Sequence, residues 1–100
     1  MPEYVRAFRD PAVIHAACED YRAAASIDLE HDAADLAAKV ACPVLALWGE
    51  KGRVAQMFDV LATSRERATD VRGRALPCGH YVPEEAPEET LQELLGFFGN

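Results

Sequence analysis

The chain has 100 residues, half of them hydrophobic, and a formal charge of −7. That length holds one small domain at most, and the composition is globular rather than disordered. The acidic balance excludes a nucleic-acid surface, which needs clustered Lys and Arg to displace counterions from phosphate. No apolar run nears the ~20 residues of a membrane span, and no basic-then-apolar signal pattern opens the chain.

In chain order, residues 3–9 predict a short helix that stops before Pro11. Asp10-Pro11 is a strong helix start, a capping carboxylate followed by proline at the first helical position. The helix it opens runs to about Ala25, with an apolar stripe at Ile14, Cys18, Tyr21 and Ala25. Asp28 is the predicted cap of a further helix over Leu29 to Lys39.

The pattern changes at Cys42-Pro43. Val44 to Trp48 is a continuous apolar run closed by Gly49, too short for a helix and fit for a strand inside a parallel sheet. A helix is predicted over 55–68, with Met57, Val60 and Leu61 on one side. A weaker strand follows over Asp70 to Leu76, where Arg72 and Arg74 alternate outward as at a sheet edge. After Pro77-Cys78-Gly79-His80-Tyr81, a last helix starts near Pro87. Its face of Leu91, Leu94, Leu95 and Phe98 should pack on a neighbour, and Gly99 stops it. Strand, helix, strand is the building block of a parallel sheet, and two strands do not make a whole one.

Trp48-Gly49-Glu50-Lys51-Gly52 after one strand and Gly79-His80-Tyr81 after the next, with a Pro- and Glu-rich opening to the closing helix, resemble the last third of the α/β-hydrolase fold. Gly-His alone is weak; the ordered set at this spacing is specific. The expected fold class is therefore α/β, a C-terminal fragment of an α/β-hydrolase. It would hold part of the helical cap (residues 1–40) and the last two parallel strands and closing helices of the core (41–100).

A narrower resemblance covers almost the whole chain. Ile14 to Asp28, Val44 to Gly52 and Arg74 to Thr90 look like the fluoroacetate (haloacetate) dehalogenases. The resemblance implies hydrolytic removal of halide from a 2-haloacetate: an aspartate displaces halide, and a histidine-activated water cleaves the resulting ester. It makes His80 the water-activating base and Tyr21 a halide-contacting residue of the cap. It places the nucleophilic aspartate, the substrate-binding arginines and the cap histidine–tryptophan pair upstream of Met1. It implies no cofactor and no metal, a small haloacetate as substrate of the complete enzyme, and a homodimer as its typical assembly. Epoxide hydrolases, which also use aspartate, histidine and cap tyrosines, are the nearest alternative; a non-catalytic truncated remnant is another.

Each residue also has a plainer role. An imidazole with a pKa near ~6.5 suits reversible proton transfer, but a Gly-His turn can equally be a surface loop. Tyr21 on its stripe fits a packed aromatic as well as a phenol donating to halide. Glu50 follows the Trp-Gly turn where many relatives place the acid that orients the histidine; the dehalogenase resemblance instead puts that acid upstream. Trp48 reads as packing at the strand end. Cys78 reads as loop packing rather than a nucleophile, because no oxyanion turn surrounds it. Neither Ser26 nor Ser64 lies in Gly-x-Ser-x-Gly, and neither His15 nor His31 precedes a tryptophan. Three cysteines (Cys18, Cys42, Cys78) cannot all pair and lack metal-ligand spacing, which points to a reducing cytoplasm.

Overall fold

The computed structural model describes residues 1–99, which divide into two compact units, Met1–Ala37 and a second from Ala38 onward.

The first unit is helical. Helix α1 spans Pro2–Ala7 and α2 spans Pro11–Ala24. Asp10 caps α2 as its sequence predicts, its carboxylate accepting the Ala12 N–H at 2.8 Å. Helix α3 differs from expectation: it runs Ile27–Ala34, two residues earlier at its start and five shorter at its end than predicted. Asp28 lies inside its first turn rather than at the cap. Ser26 occupies the cap position, but its hydroxyl turns back to the Arg22 carbonyl at 2.7 Å. Both i−3 and i−4 carbonyls, of Asp32 and His31, are taken by the Asp35 N–H, and the last turn closes there. The apolar stripe of α2 is present at helical spacing, yet no residue of α2 is buried.

The second unit carries the sheet. Strand β1 (Val44–Gly49) pairs in parallel with β2 (Val71–Leu76), from Val44 opposite Val71 to Gly49 opposite Leu76. A bridge between Val40 and Ala68 starts the pairing ahead of both strands. The connection is not the single helix predicted over 55–68. It is α4 (Arg53–Met57) and α5 (Val60–Arg67), with Phe58 extended between them. Asp59 makes the break, because its carboxylate accepts the Ala62 N–H at 3.0 Å and so opens a new helix.

Beyond β2 comes a four-residue helix the sequence did not suggest, α6 (Val82–Glu85), and then α7 (Pro87–Phe98) from the expected proline to Gly99. The core is small: Leu76 has no exposed surface, and Cys78 and Ala86 are buried beside it with Leu47 and Val82 packed on them. Helix α7 does not turn its predicted face inward. Thr90 is buried and Glu93 and Phe97 are half-buried, while Leu91, Leu94, Leu95 and Phe98 stay exposed. Two arginines of β2 contact this half-buried side of α7. Arg74 pairs with Glu93 at 2.5 Å, and Arg72 lies over the Phe97 ring, 4.8 Å from its centroid. Among the described residues, no helix is long and apolar enough to cross a membrane.

Candidate active site

In open parallel sheets, ligands gather at the carboxyl ends of the strands. Both strands here end at the same level, and the turn after β1 and the loop after β2 interlock there. The Glu50 N–H donates to the Leu76 carbonyl at 2.9 Å, and the Lys51 N–H donates to the Cys78 carbonyl at 3.1 Å. Gly49 is buried between them, and a β carbon on it would overlap the carbonyl oxygen of Gly79 and stand 2.6 Å from that of Cys78. Only a glycine lets the two segments meet.

His80 projects from this second loop and is exposed. Its ring meets Tyr81 edge-on, with centroids 5.3 Å apart. It borders a hollow of about 180 Å³ lined by Leu47, Trp48, Gly52, Val54 and Val60. On another side it borders a wider depression of about 650 Å³ along Leu45, Thr90, Leu94 and Phe98. Both walls are mainly apolar, the setting in which a few polar groups fix orientation.

A carboxylate the sequence reading passed over holds the loop. One oxygen of Glu85 accepts the Gly79 N–H at 3.2 Å, and the other accepts the Tyr81 N–H at 2.9 Å. The signal was there: Tyr81-Val82-Pro83-Glu84-Glu85 places acids in the first turn of a proline-opened helix, where a side chain can reach back to the cap N–H.

The other sequence candidates fall in different places. Glu50 is exposed in the turn after β1, and among the described residues its carboxylate has no hydrogen bond to His80. Trp48 is half-buried at the strand end and forms part of the smaller hollow's wall. Cys78 is buried, and burial pushes its thiol pKa up, with the carboxylates of Glu85, Glu89 and Glu50 adding to the rise and Lys51 opposing it. That is the reverse of an activated nucleophile. Tyr21 lies on α2 in the first unit and is 80% exposed. His15 and His31 are exposed on α2 and α3. All three cysteines are free thiols. Among the described residues, no three His, Cys, Asp or Glu side chains gather where they could hold a metal ion.

No family model matches the chain. It is 36% identical over 100 residues to a fluoroacetate dehalogenase of Burkholderia sp, a match covering all of this chain and 33% of that protein. It is 35% identical over 97 residues to a soluble epoxide hydrolase of Corynebacterium sp. (strain C12), covering 96% of this chain and 32% of that one. Among solved structures, a protein of Nostoc sp PCC 7120 provisionally assigned as an α/β-hydrolase superposes with a TM-score of 0.89 at 66% identity, over 96% of this chain and 33% of that one. A protein of Salmonella enterica provisionally assigned as an acyltransferase superposes with a TM-score of 0.90 at 51% identity, over 98% of this chain and 33% of that one. The chain thus spans about a third of the length of the proteins it matches.

Proposed function

We infer that this chain, whose fold is that of the C-terminal part of an α/β-hydrolase, supplies the water-activating histidine of a hydrolase acting through an ester on an aspartate. The observation that carries the reading is His80: an exposed imidazole on a hydrogen-bonded loop at the carboxyl ends of two parallel strands. The substrate class it fits best is a 2-haloacetate such as fluoroacetate, in line with the identity to the Burkholderia dehalogenase along the whole chain.

In that reaction an aspartate oxygen, from outside these 100 residues, attacks the carbon bearing the halogen. The carbon–halogen bond breaks and halide leaves with its electron pair. The exposed phenol of Tyr21 donates a hydrogen bond to the departing halide, which for a small, hard fluoride is worth most. His80 then takes a proton from water as the water oxygen adds to the ester carbonyl. The ester collapses to free aspartate and a 2-hydroxy acid, and the imidazolium returns its proton. Without a nucleophile, neither displacement is completed, so these 100 residues alone are inactive.

The test joins the chain to an upstream α/β-hydrolase segment bearing an aspartate nucleophile and compares it with its His80→Asn variant. The joined enzyme should release fluoride from fluoroacetate, and the variant should accumulate an aspartyl ester visible by intact mass. Undiminished turnover in the variant, with no adduct, rules the reading out. The identity to the Corynebacterium enzyme supports a second reading, opening of an epoxide by the same aspartate and histidine. Diol formation from an epoxide, without fluoride release, selects it.

A further inference from the structure

Resting on the reading of His80 as the water-activating base, we propose that Glu85 is the residue that positions it, by holding the main chain on both sides of His80. Its two oxygens accept the N–H groups of Gly79 and Tyr81, at 3.2 and 2.9 Å. One planar carboxylate bridging those amides fixes the backbone of the residue between them, and with it the direction in which the imidazole leaves the chain. Hydrogen bonds to an ionised acceptor are roughly twice as strong as neutral ones. The direction of the His80 side chain from its α carbon follows from that main chain, which Glu85 ties on both sides.

The surroundings are built for this contact. A β carbon on Gly79 would stand 2.9 and 3.0 Å from the two carboxylate oxygens, so a glycine is needed for the carboxylate to come this close. Glu85 itself is anchored from behind. It ends α6, the next residue Ala86 is buried in the core, and the Thr90 hydroxyl donates to the Ala86 carbonyl at 2.6 Å. A supporting group attached to the core holds a reacting group more closely than one on a free loop. Both oxygens are engaged with the main chain, which makes Glu85 a positioning residue and distinguishes it from an acid that orients the histidine through its ring.

The experiment uses NMR on the 100-residue chain, measuring amide hydrogen exchange and the His80 Hα–Hβ couplings in wild type, Glu85→Gln and, as a control of equal charge change, Glu88→Gln. Glutamine keeps one acceptor and puts an NH2 group against the other amide. In Glu85→Gln, exchange at Gly79 and Tyr81 should quicken about tenfold while the β1–β2 ladder amides hold. The His80 couplings should move toward a rotamer average, and Glu88→Gln should do neither. Unchanged exchange and couplings would overturn the proposal. So would equal quickening of the ladder amides, which would make Glu85 a contributor to fold stability alone. In His80→Asn the two amides should keep their protection. Failure of the catalytic reading therefore shows in turnover of the joined enzyme, and failure of the tie shows in exchange.

Discussion

Gly49, the last residue of β1, lies directly against the carbonyl of Gly79, the residue before His80. The two glycines bring the ends of the two strands into backbone contact, and the histidine leaves the chain at that contact. Whatever loosens this approach moves His80.

Gly49→Ala should therefore be among the more damaging small substitutions in the second unit. The added methyl meets main-chain atoms that cannot rotate away, and overpacking of this kind costs about 1–3 kcal/mol. Gly96→Ala is the contrast. A β carbon there meets open space inside α7, so it should stabilise by about 0.5–1 kcal/mol through helix propensity. Urea midpoints shifting in opposite directions at constant m-value would bear this out. A Gly49→Ala midpoint equal to wild type would show that the loop can retreat without cost.

The three thiols should separate by reactivity. Cys18 and Cys42 are exposed, whereas Cys78 is buried with its thiol pKa raised by burial and by the carboxylates of Glu85, Glu89 and Glu50. The thiolate is the reacting form, so alkylation near pH 8 should modify two cysteines rapidly and the third only on unfolding. The same shift sets a pH dependence. The native state holds the Cys78 proton more tightly than the unfolded chain, so its contribution is full below the unfolded thiol value of ~8.5 and is lost as pH rises beyond it. Urea midpoints should fall between pH 7 and 9.5, and less steeply in Cys78→Ala. Equal slopes in the two proteins would assign the decline to other groups.

Asp59→Ala should cost about 1 kcal/mol, the usual worth of a side-chain cap, because the first turn of α5 loses the acceptor for the Ala62 N–H. The far-UV spectrum of the folded protein should be almost unchanged, since the α5 ladder remains. Stability within error of wild type would mean that water replaces the carboxylate at that exposed position.

Most of the elements were legible in the sequence, for local reasons. Asp10-Pro11 starts a helix through its own side chain and ring, Val44 to Gly49 has no polar face to show to water, and Gly99 follows the last helical residue. The misreadings are local too. Asp59 competes for a backbone N–H and splits one periodic run into two helices, and Ser26 spends its hydroxyl on the preceding turn. Periodicity records apolar spacing and is blind to such single hydrogen bonds.

The candidate site divides the same way. His80 was visible as a residue type in a recognisable order, because the chain order of strand, turn, loop and helix survives in one dimension. What the tertiary structure alone decided is what surrounds it. Glu85 meets both amides beside His80 because α6 folds back over the loop, and Gly49 must be glycine because a segment 30 positions away crosses it. The contacts of Arg72 with Phe97 and of Arg74 with Glu93, between β2 and α7, likewise join residues 19 to 25 positions apart. A sequence specifies what each residue can do; which partner it meets depends on contacts between residues far apart in the chain.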